Sequence, residues 1–163
     1  YWNAMLHVRD SPFDWIDSLR GECKSIASKL WQRALSQRLS ITWNGTGKNV
    51  AKYRRLLGEA ASAGYTTELR YIWVPLHVAK GRVAQRAHAI GRIVPLHVVA
   101  AAHVNIPRAF EALTPLADHA RIFSNVASSP RMVWDKNQQW ITPSYEMVGE
   151  QKCHIPGVRG PHP

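Results

Sequence analysis

Acidic residues, cysteines and long hydrophobic runs are all scarce in this sequence of 163 residues. Only 11 Asp and Glu stand against 21 Lys and Arg, which gives a formal net charge of +10. The two cysteines, Cys23 and Cys153, are too few for a disulfide framework and match neither a zinc nor a redox spacing. No apolar run approaches the ~18 residues that a membrane-spanning helix needs. We therefore expect a cytoplasmic protein with reduced thiols and no membrane partner.

Several catalytic motifs are missing as well. The sequence has no Gly-x-Ser-x-Gly nucleophile elbow and no recognisable Ser/His/Asp or Cys/His arrangement. Its few carboxylates show no pairing for general acid–base work. The eight histidines lack accompanying carboxylates at ligand spacing, and His97 and His103 do not share one helix face. We predict no metal site and assign the histidines structural or surface roles.

What is present is a chain with enough apolar residues to fold. At 45% hydrophobic and 20% charged residues it is not typical of a disordered protein, and its length fits one domain. Apolar periodicity and short β-branched or aromatic runs predict the secondary structure. The predicted elements are helices over residues 13–38, 49–62, 77–89, 96–103 and 108–116, strands over 39–43, 65–74 and 121–124, and a hairpin of 131–134 with 139–142.

The alternation of strands and helices predicts an α/β domain with a parallel sheet flanked by helices on both faces. The end of the chain has a different composition. From Pro143 onward it is polar and rich in proline and glycine, and we predict a disordered tail over residues 143–163.

Two clusters of residues suit the binding of anions. The first is the loop Asn44-Gly45-Thr46-Gly47-Lys48, which follows a predicted strand and precedes a predicted helix. Glycines there let the backbone approach a ligand, and a helix N-terminus favours anions. The loop is not a Walker A motif, which needs G-x-x-x-x-G-K-[ST]. A plain strand-to-helix turn is the alternative interpretation.

The second cluster consists of Arg82, Arg86, His88 and Arg92, ahead of Val94-Pro95. Arginine guanidinium groups bind phosphate oxygens in a two-pronged geometry, so three of them near a helix end are suited to hold phosphates. The alternative is a solvated basic helix face. The positive charge as a whole has the same two explanations, a phosphate-binding patch or diffuse solubilising charge.

Taken together, residues from about 22 to 134 resemble the zeta-toxin family of P-loop kinases. The glycine loop G-T-G-K and the later G-R-x-V-P are the most telling motifs. The remaining matching stretches are Glu22–Ala27, Ala63-Gly64-Tyr65, Val74-Pro75-Leu76, His103, Pro107-Arg108-Ala109 and Arg121–Asn125.

The resemblance implies a P-loop NTPase-like fold and a kinase that uses ATP or GTP with Mg²⁺. The γ-phosphate of that nucleotide would pass to a hydroxyl of a small acceptor, such as a nucleotide-activated amino sugar. A small antitoxin protein would be a partner. By the same resemblance, residues 44–48 (Asn44, Gly45, Thr46, Gly47 and Lys48) would bind the substrate. Arg82, Arg86 and Arg92 would bind phosphate, with Arg86 and Arg92 as catalytic lid arginines that neutralise the transferring phosphoryl group.

The sequence also departs from the family pattern. Residues 1–38 contain no Walker A loop, the catalytic acid has no counterpart, and Asn44 stands where the family usually has Glu or Asp. An amide can neither accept a proton nor bring charge to a metal. We therefore expect residues 1–142 to be a kinase domain that lacks its P-loop front end and is inactive in this chain alone. The alternative is a non-catalytic basic module that binds nucleic acid or an acidic protein partner.

Overall fold

The computed structural model describes residues 14–91, 93–127, 129–141, 145–148 and 151–156, and the side chains of all of these except 14–20, 139–140 and 146–147. The chain divides into two compact units, Tyr1–Asn44 and Gly45–Pro163. Among the described residues, no helix is both long enough and apolar enough to span a membrane.

The described part of the first unit, residues 14–44, contains one long helix, α1 (Asp14–Ser36). It ends in a Schellman motif, in which the N–H of Leu39 donates to Ala34 O and the N–H of Arg38 donates to Leu35 O, at 3.0 and 3.1 Å. Arg38 takes the left-handed conformation, φ 53°, that this motif requires. The helix buries Trp31, whose ring meets the ring of Trp43 edge-on at 5.6 Å.

The prediction of a strand over residues 39–43 is wrong. The structure shows no regular secondary structure there. Leu39 belongs to the helix-terminating motif, and Trp43 packs on Trp31 of the preceding helix. A strand is stable only when its backbone pairs with a neighbour, and local aromatic packing competes with that pairing.

The second unit contains the remaining elements. In chain order they are α2 (Val50–Ser62), β1 (Glu68–Trp73), α3 (Leu76–Ile90), α4 (Leu96–Leu113), a 3₁₀ turn (Thr114–Leu116), β2 (His119–Ser124), β3 (Arg131–Asp135), β4 (Gln139–Trp140), β5 (Tyr145–Val148) and β6 (Gln151–His154).

Strands β1 to β4 form one sheet in sequence order. β1 and β2 are parallel, with Glu68 opposite His119 and Trp73 opposite Ser124. β3 runs antiparallel to β2, with an irregularity at Ile122/Phe123, and β4 returns antiparallel to β3. The predicted α/β class, with helices flanking a sheet, is confirmed. The sheet itself is mixed, with β1 and β2 as its parallel pair.

The core lies between one face of the sheet and α4. Ile122 and Val133 are fully buried, and Phe110 of α4 packs against rings from two strands. Its ring centroid lies 5.5 Å from that of Tyr71 and 6.0 Å from that of Trp134. This aromatic contact is what attaches the C-terminal half of α4 to the sheet.

The prediction of two helices separated at Pro107 is wrong. The structure has a single helix, α4, with Pro107 inside it. An interior proline removes one backbone hydrogen bond and costs about 3 kcal/mol. Burial of Ala109, Phe110 and Leu113 in the following turns offsets that cost, because these side chains reach the core only if the helix continues.

The prediction of a disordered tail is also wrong for the residues of that segment that the structure describes. β5 and β6 pair as an antiparallel hairpin, with Tyr145 opposite His154. The Lys152 ammonium lies 4.0 Å from the centre of the Tyr145 ring, and Ile155 is buried in the main core. Residues 157–163 of the predicted tail lie outside the described residues.

Candidate functional site

The carboxyl ends of β1 and β2 meet at one edge of the sheet, because these two strands are parallel. Just beyond the strands, the N–H of Asn125 donates to Trp73 O at 2.9 Å. α3 begins three residues after Trp73, so its first turns start from the same edge. In open α/β sheets, ligands bind at such an edge. We call it the carboxyl edge.

Arg82 is held at the carboxyl edge by a specific contact. Its guanidinium Nη2 donates to the main-chain oxygen of Asn125 at 2.8 Å. The bond joins the second turn of α3 to the segment after β2. A guanidinium has five N–H donors, so one bond to a carbonyl leaves the others for a ligand. Arg82 is therefore oriented and still able to bind an anion.

Arg86 lies one helical turn beyond Arg82 and is exposed. Residues four apart share a helix face, so the two guanidinium groups are neighbours on α3. No ion pair joins Arg86 to any residue that the structure describes. The third arginine of the predicted cluster, Arg92, lies outside the described residues.

The glycine loop lies at the N-terminus of α2. Gly47 has φ +75°, and its N–H donates to the phenol oxygen of Tyr53 over 3.4 Å. Asn49 caps the helix by accepting from the N–H of Lys52 at 2.9 Å. Thr46 and Lys48 are exposed. The predicted helix after the loop is present, whereas the predicted strand before it is absent.

The described part of the glycine loop lies against α4. A Cβ added at Gly47 would lie 3.7 Å from Ile106 Cγ2. No hydrogen bond links Gly45–Lys48 to Arg82 or Arg86 among the described residues. Asn44 belongs to the first unit.

Sequence reasoning missed an ion-pair cluster on the sheet. Arg121 donates to Glu68 at 2.7 Å and to Asp135 at 2.8 Å, and Glu68 also accepts two bonds from Arg70. The cluster joins β1, β2 and β3. Only the strand register brings these residues together, so the sole signal in the sequence was the alternation of Glu68 and Arg70 on one face.

The carboxylates of this cluster are occupied by their partners. Hydrogen bonds from Arg70 lower the pKa of Glu68, and the N–H of Asn137 with the Arg121 guanidinium lowers the pKa of Asp135. A third carboxylate, Asp118, accepts from the N–H and hydroxyl of Thr67, which lowers its pKa. These groups are ionised and hydrogen-bonded, so they stabilise strand connections and are not poised to accept a proton.

The carboxyl edge suits phosphate better than a metal ion. The described residues there offer guanidinium, ammonium and backbone N–H donors but no carboxylate. Within the described ranges, no group of three or more His, Cys, Asp or Glu is placed to hold a metal. The described residues at this edge have donor groups suited to a phosphate and lack the carboxylate oxygens that would hold the accompanying Mg²⁺.

Comparison with known proteins identifies the family. The family model for zeta toxin matches residues 4–139. This chain belongs to the zeta-toxin family. Zeta toxins are nucleotide-using kinases, and the resemblance of residues 22–134 is thereby confirmed. The match includes the glycine loop and the arginine cluster, and it ends before the β5–β6 hairpin. Searches of curated proteins and of solved structures gave no match.

Proposed function

We propose that this chain is a zeta-toxin kinase domain that binds the phosphates of a nucleotide ligand at the carboxyl edge. The reaction of the kinases to which such a domain belongs is transfer of the γ-phosphate of ATP or GTP to a hydroxyl of a small acceptor, such as a nucleotide-activated amino sugar, and we assign the binding part of it to this chain. Arg82, Arg86 and Arg92 bind phosphate in this proposal, and Arg86 and Arg92 neutralise the transferring group. Residues 44–48 contact the acceptor.

The observation that carries the proposal is the bond from Arg82 to Asn125. It holds a guanidinium at the edge where α/β sheets bind ligands, with Arg86 one turn away and exposed. Phosphoryl transfer depends on positioned positive charge more than on covalent chemistry, so oriented arginines are the parts it requires.

The glycine loop supports the acceptor assignment. The positive φ of Gly47 turns the backbone at the start of α2, where unpaired helix N–H groups and the helix dipole favour an anion. Exposed Thr46 and Lys48 add a hydroxyl and an ammonium. Nothing in this loop requires a metal ion.

We further propose that these 163 residues bind nucleotides without transferring phosphate. The sequence contains no Walker A motif, and the carboxylates described above are engaged in structural bonds. An antitoxin protein and the small acceptor are the partners that the proposal implies. Its site of action is the cytoplasm, which agrees with the two free cysteines.

Binding of ATP, GTP and a nucleotide-activated amino sugar, measured by calorimetry, tests the proposal. Arg82→Ala should weaken binding about ten- to a hundred-fold, because it removes a charge-assisted hydrogen bond and releases the loop at Asn125. Arg86→Ala should weaken it less, since its side chain is exposed. Arg33→Ala, an exposed arginine of α1, is the matched control. Equal affinity in all three variants would refute the site.

The alternative function is a non-catalytic basic module that binds nucleic acid or an acidic protein. The net charge of +10 favours it. Phosphate-driven binding to duplex DNA loses affinity with salt at a log–log slope near −0.9 per contact. A steep slope with DNA, together with no binding of ATP or GTP, would support this module over the kinase domain.

A further inference from the structure

The α3–α4 region carries charge of one sign. Between Glu68 and Glu111 the sequence has no acidic residue. The same stretch contains the basic residues Arg70, Lys80, Arg82, Arg86, Arg92 and Arg108 and the histidines His77, His88, His97 and His103. The positive charge of the helix pair is therefore concentrated on α3, which carries Lys80, Arg82 and Arg86 and no acidic residue.

This pair of helices is little buried where α3 ends and α4 begins. α3 has no buried residue, and the first buried residue of α4 is Ala109. Phe110 anchors the C-terminal end of α4 to the sheet, whereas the residues of α4 before Ala109 are exposed or only partly buried.

The end of the helix pair is aliphatic and exposed. Ile90, the last residue of α3, is 68% exposed, Ile93 in the connection is 54% exposed, and Leu96, the first residue of α4, is 53% exposed. They lie within seven consecutive residues around the turn at Gly91, where φ is +69°. We call these three side chains the aliphatic tip. Exposed aliphatic side chains grouped in this way mark an interaction site more often than single ones do.

We propose that the aliphatic tip docks on an anionic lipid surface. Aliphatic side chains flanked by cations are the combination that binds the headgroup–acyl boundary of a bilayer, where the apolar groups insert and the cations contact lipid phosphates. Arg86 is an exposed cation four residues before Ile90, and the exposed His88 and His97 lie within two positions of tip residues in the sequence. Contact of this kind is peripheral and needs no spanning helix, so it departs from the expectation of no membrane partner, which was drawn from the lack of a long apolar run.

The same residues argue against two other occupants. A nucleic acid would use the cations, but residues 74–109 contain no Phe, Tyr or Trp to form a stacking platform for bases, and the tip would stay exposed. An acidic protein would need an apolar pocket to receive a tip that lies at the end of a helix pair. A bilayer accepts both the aliphatic and the cationic groups without a matching cavity.

Sedimentation with lipid vesicles tests the proposal. The chain should bind vesicles with about 30% phosphatidylglycerol at least ten-fold more tightly than vesicles of phosphatidylcholine alone, and high salt should weaken that binding. The double variant Ile93→Ser/Leu96→Ser should bind the anionic vesicles at least ten-fold more weakly, because insertion scales with buried apolar area. Ile90→Ser should show a smaller loss and serves as a second, milder variant.

The matched control is Ile26→Ser/Leu30→Ser on α1, whose side chains are 55% and 61% exposed. It should bind vesicles within two-fold of the unmodified chain. The proposal is overturned if the chain does not bind anionic vesicles, or if the tip variants bind them as tightly as the control does. It is also overturned if an oligonucleotide or polyglutamate binds in a tip-dependent manner while vesicles do not bind. Nucleotide binding should be unchanged in the tip variants, so a loss of vesicle binding in them is distinguishable from a failure of the proposed phosphate site, with which the lipid contact shares Arg86.

Discussion

Replacement of Phe110 by alanine should be among the most damaging changes in the second unit. The side chain is 8% exposed and its ring lies against Tyr71 of β1 and Trp134 of β3. It is the contact that joins α4 to the sheet, and α4 in turn carries Ile106 toward the glycine loop. Removal of the ring leaves a cavity that the surrounding strands can only partly close.

The expected loss is about 3–5 kcal/mol in the free energy of unfolding, which combines lost burial with the cavity left behind. Pairs of aromatic rings at this separation contribute about 0.5–1.5 kcal/mol beyond their buried area, and Phe110 has two such neighbours. Phe110→Leu keeps most of the volume and should cost clearly less. A typical domain has only about 5–15 kcal/mol to lose, so the alanine variant should be close to unfolded at moderate urea concentrations.

Urea unfolding followed by tryptophan fluorescence measures this loss, because Trp73 and Trp134 are buried in the same core. Val104→Ala is the control: it lies on the same helix, is 55% exposed and should change stability by no more than about 0.5 kcal/mol. A loss below about 1 kcal/mol for Phe110→Ala would refute the packing of α4 on the sheet.

Three further predictions follow from single contacts. Pro107→Ala should raise the free energy of unfolding by about 1–2 kcal/mol in the same urea assay, because it restores a helix hydrogen bond. A decrease in the free energy of unfolding would mean that α4 is interrupted at residue 107. Gly47→Ala should lower the free energy of unfolding by about 1–2 kcal/mol, because φ at this residue is +75°. Gly58→Ala, inside α2, should raise the free energy of unfolding by about 1 kcal/mol. Equal effects of the two substitutions would contradict the loop geometry. The lowered pKa values of the carboxylates bound to Arg121 stabilise the fold above their unfolded-state pKa, near 4, and that stabilisation is lost as pH falls through the folded-state pKa. Arg121→Met should reduce the dependence of stability on pH between about 5 and 2, and an unchanged dependence would contradict the ion pairs.

The elements with strong local signals were predictable. The periodicity of α2 and α3, the turn residues of the β3–β4 hairpin and the β-branched and aromatic content of β1 each describe an element whose stability depends on its own pattern. Their observed bounds differ from the predicted ones by a few residues at most. The same is true of α1, where the predicted helix over 13–38 corresponds to Asp14–Ser36.

The candidate site was predictable in composition but not in arrangement. The sequence identified Arg82 and Arg86 as phosphate-binding candidates, and the spacing of four residues placed them on one helix face. That Arg82 is oriented by the main-chain oxygen of Asn125 depends on a contact across 43 positions of the chain. No local pattern encodes such a contact.

The errors came from tertiary competition. Leu39–Trp43 has the composition of a strand. In the structure, however, Leu39 belongs to the hydrogen bonds that end α1, and Trp43 packs on Trp31. Pro107 disfavours a helix locally, but the burial of Phe110 and Leu113 maintains it. In both cases the burial of side chains against distant or preceding residues outweighed a local preference of a few kcal/mol.

The sequence by itself therefore determined the family, the cationic character of the chain and the α/β class, since these depend on motifs, charge and periodicity that are local to the chain. Only the tertiary structure decided that the sheet is mixed, that the carboxylates of Glu68 and Asp135 meet Arg121, and that the aliphatic tip is left exposed. Strand register and burial arise from contacts between segments far apart in the sequence, and their free energy exists only once the chain has folded.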